Sequence, residues 1–424
     1  MLRQNISSTI LPNGIIVLTD YMPNAHSVSI GAWIPRGSRH EAADENGLSH
    51  FYEHLVFKGT EHRTALEIAS SIEDRGGNLD AYTTRQETGF YAQVSREDVP
   101  LALDVIADML MNPSFDPHEM EKERKVIIEE IRSYDDIAEE RVGDLFNAIH
   151  FKGSGIARPI AGTAKSVRAL TLEQMQRYEH QVLRDLPVYV CAAGRVNHEM
   201  IVDACARLFA KKKSGSGELG DTYRANAALK ILPKRELQQS SLFWGTSFSL
   251  SELPEKFRYA FSIFNVAMGA GMTSRLFQKI REERGLAYSV YSSADVYRDC
   301  CGWGVSLATD PRRLETALGL AKKELDAFLK SGLAPEELAR TRQNIIGGIR
   351  ICADSTEKRV LRLAEQTLHY GRFYPMDETE RGFAKITGGE ILDMMRLAFR
   401  NAPFATAVVE PAGVSVPDLE KFVH

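Results

Sequence analysis

In the stretch LSHFYEHLVFKGTE, residues 48 to 61, His50, Glu53 and His54 stand among Leu, Phe, Tyr and Val. Two imidazoles at that spacing can grip one metal ion, with a carboxylate left over to act on a bound water. The run from Leu48 to Phe57 carries neither proline nor glycine, and Gly59 follows it, which predicts a short helix ending near Gly59. At 3.6 residues per turn His50 and His54 share one face, and Glu53 lies beside His54. The order is HxxEH, the inverse of the more usual HExxH. The motif alone is equally compatible with a solvated face, because short motifs recur by chance. HEMEK at His118 and HEMIV at His198 start like HExxH but lack the second histidine. A metal site therefore needs a third ligand from elsewhere in the chain.

The elements that would position these groups come in two copies. KKKSGSGELGD, residues 211 to 221, reads as a linker, a charge run followed by Ser and Gly. The expected domains are 1–212 and 223–424, joined by 213–222. TGFYAQVS and GWGVSLAT alternate like strands, and each is followed by an amphipathic helix, DVPLALDVIADMLMNP and RRLETALGLAKKELDAFLKSG. PHEMEKERKVIIEEIR (117 to 132) then aligns without gaps with PEELARTRQNIIGGIR (335 to 350). The fold class is α+β, two homologous α/β domains in tandem, each a mixed or antiparallel sheet flanked by helices.

The copies differ where chemistry is at stake. Glu129 and Glu130 align with Gly347 and Gly348, and Glu123 aligns with Thr341. Glycine is a poor helix residue, so the fold does not demand carboxylates there. No second copy of the HxxEH helix is apparent, so histidines and carboxylates coincide in one copy only. Glu123 and Glu130 lie two turns apart on one face, while Glu129 points about 100° away. Glu130, flanked by Ile127, Ile128 and Ile131, is the expected ligand, and Glu121 and Glu129 are expected on a solvated charged face.

Composition bounds the function. The chain is 44% hydrophobic and 26% charged over 424 residues, enough for large globular cores. A net charge of −5 without a basic stripe argues against nucleic-acid binding. The five cysteines form no CxxC pair and suggest neither a disulfide framework nor a zinc cluster. No signal peptide and no apolar run of membrane-spanning length is found, so a cytoplasmic protein is expected.

HxxEH with a glutamate 76 positions after His54 resembles the M16 (pitrilysin) metallopeptidases, nearest to mitochondrial processing peptidase and its bacterial relatives. The likeness runs through LPNGI, SIGAWIPRGSRHE, GLSHFYEHLVFKGT, GGNLDAYTTRQETGFYA, IAGT and SRLFQKIREERGLAYSVYS. It implies one half of a clamshell, with zinc (Zn2+) on His50, His54 and Glu130, Glu53 as general base and Glu123 behind the ligands. GGNLDAYTTRQ resembles the family's edge strand, onto which a peptide adds, so Asp80, Ala81 and Tyr82 are expected to bind substrate. The family usually shows Asn-Ala at Asp80-Ala81, and an Asp there would favour basic residues near the cleaved bond. Arg281 and Tyr288 resemble the pair that steadies the oxyanion. In the family that pair acts from the half facing the zinc, which implies a homodimer whose subunits complete each other's site. Together these imply a zinc endopeptidase of processing-peptidase type acting on short or unfolded peptides. The alternative is a non-catalytic scaffold or partner subunit of the same fold.

Overall fold

The computed structural model describes residues 4–213, 215, 220–235, 237–251, 253–414 and 417–423. Part of the expected linker, residues 214 and 216–219, lies outside the described residues. The chain forms two compact units. One holds residues 4–132, 158–213, 215, 220–221 and 350–376; the other holds the remaining described segments.

The first unit is built on six strands, β1 (Asn5–Ile10), β2 (Ile15–Tyr21), β3 (Ser27–Ile34), β4 (Asn78–Thr83), β5 (Thr88–Ser95) and β6 (Val188–Gly194). Their order is β1-β2-β6-β3-β5-β4, antiparallel except for the parallel pair β2 and β6. The run SVSIGAWI of β3 is almost wholly buried because both faces of the sheet are covered. On one face Ile30, Phe90 and Val190 pack with Leu48, Phe51, Leu103 and Ile127. On the other, Leu18, Trp33, Tyr91 and Cys191 pack with Val360, Leu363 and Leu368.

The second unit repeats this plan with β7 (Ala228–Lys234), β8 (Ser240–Ser249), β9 (Ala287–Val296), β10 (Cys300–Thr309) and β11 (Phe404–Pro411). The order β7-β11-β8-β10-β9 matches β2-β6-β3-β5-β4 strand for strand, including the single parallel pair. The duplication expected from the two aligned helices, Pro117–Asp136 and Pro335–Cys352, is therefore a property of the whole topology. It also corrects one expectation. The HxxEH helix, Leu48–Val56, does have a counterpart: Phe257–Met268 occupies the same place between the third and fifth strands of the order. That helix carries no histidine, and its Tyr259, Phe261 and Phe264 are core residues.

The helices Ala138–His150 and Thr356–Tyr370 follow the aligned pair in each copy, and they are exchanged. Ala138–His150 packs Val142, Leu145 and Phe146 against Ala405, Ala407 and Val409 of the second sheet. Thr356–Tyr370 covers the first sheet, where Arg359 forks onto the fully buried Asp20 at 2.6 and 2.7 Å. Each sheet thus takes one cover from the opposite half of the sequence, which is why the compact units are interleaved along the chain.

Candidate metal centre

The helix Leu48–Val56 begins without a Ser, Thr, Asp or Asn cap. Its N-cap is Gly47, at φ 97°, and the capping is done by Glu41. The Glu41 carboxylate accepts from the backbone N–H groups of Gly47 at 2.8 Å and Ser49 at 2.7 Å, and from Asn46 Nδ2 at 3.2 Å. Burial raises its pKa against those bonds. A Cβ on Gly47 would lie 2.8 Å from the carbonyl of Ala161, and one on Gly162 would lie 2.6 Å from that of Asn46. The IAGT segment therefore presses against the start of the histidine helix, and only glycine allows that approach.

The helix ends at Val56, with Phe57 as C-cap, and Gly59 lies beyond it, at φ 137° in a bridge with Thr64. His50 and His54 project from one face, with ring centroids 4.6 Å apart and planes at 64°. Glu130 arrives from the helix Pro117–Asp136. Its Oε1 lies 3.7 Å from His50 Nε2 and its Oε2 3.6 Å from His54 Nε2. One ligand atom of each residue lies within 4.8 Å of the others. These separations exceed hydrogen-bond length, so nitrogens and oxygen surround a common point without bonding one another.

Glu123, one face-repeat before Glu130, is buried. It receives His54 Nδ1 at 3.2 Å on Oε2 and Lys58 Nζ at 2.9 Å on Oε1. Burial acts to raise its pKa, but the bonds from His54 and Lys58 outweigh burial and hold the carboxyl below its ordinary value. Burial, then the neighbouring His54, pushes the His50 pKa down to about 4, so His50 offers a lone pair at neutral pH. Burial also raises the Glu130 pKa, with His54 opposing it. Glu53 turns from the triad toward β4, where Thr83 Oγ1 donates to its Oε2 at 2.5 Å. Its pKa is raised, chiefly by burial.

The donor set suits a divalent cation with nitrogen and oxygen preferences, and zinc meets that description. Glu53, Glu123 and Glu130 against Lys58 leave a local excess of two negative charges, which a divalent cation would neutralise.

Among the described residues the edge strand β4 pairs on one side only, with β5. Its alternation separates the three residues expected to meet substrate. Ala81 pairs with Phe90 and packs with the core beneath the histidine helix. Asp80 pairs with Tyr91, on the face covered by Thr356–Tyr370, and its Oδ2 accepts from the Tyr91 hydroxyl at 3.3 Å. Tyr82 shares that face. Its hydroxyl accepts from Trp33 Nε1 at 3.0 Å and donates to Glu87 at 2.9 Å. The side chains of Asp80 and Tyr82 thus lie on the face opposite the one that carries the triad.

Arg281 and Tyr288 belong to the second unit and are brought together there. The Arg281 guanidinium, in the π-helical turn Phe277–Glu282, stands 5.2 Å from the Tyr288 ring centroid, and Tyr288 is 76% exposed. Glu41, Lys58 and Thr83, which bond the helix start, Glu123 and Glu53, have no place in the motif read from the sequence. For Glu41 a signal existed: a helix opening on glycine with an acidic residue a few positions upstream.

The chain is similar to known proteins along nearly its whole length. The family model described as Insulinase (Peptidase family M16) matches residues 16–164, and that described as Peptidase M16 inactive domain matches residues 169–345. A Mycobacterium tuberculosis protein named an uncharacterized zinc protease is 33% identical over 411 residues, covering 96% of this chain and 93% of its own. A Bacillus subtilis protein of the same description is 30% identical, with 95% and 97% covered. A solved protease from Helicobacter pylori superposes with a TM-score of 0.89 at 17% identity, over 96% of this chain and all of its own. A peptidase M16 inactive domain from Pseudomonas fluorescens gives 0.87 at 16% identity, over 97% and 100%. At those identities the two structures speak for the fold alone. The tandem family matches and the end-to-end relatives place the chain in peptidase family M16.

Proposed function

We propose that this chain is a zinc-dependent endopeptidase that hydrolyses short or unfolded peptides, in the manner of a processing peptidase. The observation that carries the reading is the convergence of His50, His54 and Glu130 ligand atoms within 4.8 Å, beside a Glu53 tied to the edge strand by Thr83. His50, His54 and Glu130 would hold the zinc, which when bound supplies a polarised water and Lewis-acid activation of the scissile carbonyl. Glu53, held by Thr83, would be the base that accepts a proton from the attacking water and the acid that returns it to the leaving amine. The raised pKa of Glu53 moves it toward the range where both transfers are efficient. Glu123 holds the ring of His54 through Nδ1, which leaves Nε2 on the side of Glu130 and available as a ligand. The open side of β4 offers main-chain groups to an extended peptide, which gives binding with little sequence preference.

The reading extends to a homodimer in which Arg281 and Tyr288 of one protomer steady the oxyanion at its partner's site. Their side-by-side placement and the exposure of Tyr288 support it. Mixing a Glu53→Gln protomer with a Tyr288→Phe protomer tests sharing in trans: activity above either parent is expected, and none would remove that part of the reading.

Cleavage of a quenched, mildly basic peptide, with Glu53→Gln prepared alongside, tests the reaction. Wild type should cut while the variant retains zinc and does not. Inactivity of both with zinc bound would overturn the peptidase reading in favour of a scaffold role.

A further inference from the structure

The stretch FKGTEHR after the histidine helix is not absorbed by the metal triad or by Glu53, yet it is held with unusual care. Gly59 O accepts from both Ser114 N at 3.1 Å and Ser114 Oγ at 3.0 Å. Thr60 N donates to Arg63 O at 2.8 Å, and Thr60 Oγ1 donates to the buried Asp108 at 2.6 Å. Asp108 also receives Arg63 at 2.7 Å and His62 at 2.7 Å. This network fixes the backbone just beyond Lys58, whose own N–H closes the helix onto Leu55 O at 3.0 Å. The Lys58 ammonium reaches Glu123, the same carboxylate that bonds His54, four residues earlier in the chain.

Resting on the zinc reading above, we infer that Lys58 is a positioning residue for the metal centre. It holds Glu123 in the rotamer in which one oxygen accepts from His54 Nδ1 and leaves His54 Nε2 pointed at Glu130. The two oxygens of Glu123 divide the work: Oε1 takes Lys58 at 2.9 Å and Oε2 takes His54 at 3.2 Å. Without Lys58 the buried Oε1 has no cationic partner among the contacts of the described residues, and the carboxylate is free to turn away from the ring. The Lys58 side chain is 32% exposed and that of Glu123 8%, so the lysine can be replaced without opening a core cavity.

The test is zinc affinity by chelator competition on the full chain, with wild type, Lys58→Met and Lys58→Arg, together with the zinc-free melting temperature of each. Lys58→Met should bind zinc about tenfold more weakly and melt lower without zinc, because buried Glu123 loses one partner of an ion pair, and Lys58→Arg should recover most of both losses, because a guanidinium still donates to Oε1. Zinc binding by Lys58→Met within twofold of wild type would overturn the inference. So would a loss in Lys58→Arg equal to that in Lys58→Met, since the ammonium-to-carboxylate bond would then not be what matters. The wild-type titration separates the two layers: no binding by wild type sinks the zinc reading itself, whichever way the variants behave.

Discussion

Arg359→Met removes the cation that ties an exchanged helix to the first sheet. In wild type Arg359 Nε and Nη2 donate to Asp20 at 2.7 and 2.6 Å, and Gln4 Nε2 adds a bond at 2.6 Å. Asp20 is 0% exposed, and burial raises its pKa even with Arg359 present. Removing one partner of a buried pair typically costs about 3–5 kcal/mol, because the remaining charge stays desolvated. Gln4 keeps its bond and the carboxyl can take up a proton, so the expected loss lies at the low end, about 3 kcal/mol. The pH dependence carries a definite sign. A folded pKa above the unfolded one means the folded state holds the extra proton, so the penalty in the variant grows as pH rises and shrinks as it falls. Urea unfolding gives the total, and amide exchange of β2 and β6 localises it to the first unit. Asp20→Leu combined with Arg359→Met should regain most of the loss, since no charge is then left buried. A single-variant loss below about 1 kcal/mol, or a double variant no better than the single, would refute the claim that this pair anchors the helix.

Three further outcomes follow from the geometry. Gly47→Ala meets the Ala161 carbonyl 2.8 Å from its Cβ at a φ of 97°, so it should cost about 2 kcal/mol and weaken zinc binding through the displaced helix start; a variant as stable as wild type would contradict that packing. His150, fully buried with Nδ1 near Asn226 O and Nε2 near Ser247 Oγ, has its pKa pushed down to about 4 by burial. Stability it provides is present above pH 6.5 and lost as pH falls toward 4, by at most roughly 3 kcal/mol; His150→Gln should flatten the acid limb of melting temperature against pH, and parallel curves would count against it. Asp80→Asn should change the preference for basic over neutral peptides by less than about threefold, because the exposed carboxylate faces away from the triad; a larger change, measured as a ratio of kcat/KM values, would mean the peptide reaches that face.

The sequence by itself determined what depends on spacing along one element. Four residues put His50 and His54 on one helical face, and seven put Glu123 and Glu130 on another, because the helix has a fixed pitch whatever surrounds it. The gapless match of 117–132 with 335–350 likewise announced two copies of one scaffold, and strand order has the same duplication. What only the tertiary structure decided were relations between elements far apart in the chain. An amphipathic helix states that one face must be buried but not against which sheet, so nothing in Ala138–His150 or Thr356–Tyr370 announces their exchange. The counterpart of the histidine helix leaves no mark in the sequence because Phe257–Met268 shares its place in the topology and not its residues. The faces of Asp80 and Tyr82 hung on strand register, where a single step reverses every side chain. Glu41, Lys58 and Thr83 gained their bonds to the helix start, Glu123 and Glu53 only in the fold, since a hydrogen bond is set by distance in space and leaves no period in the sequence.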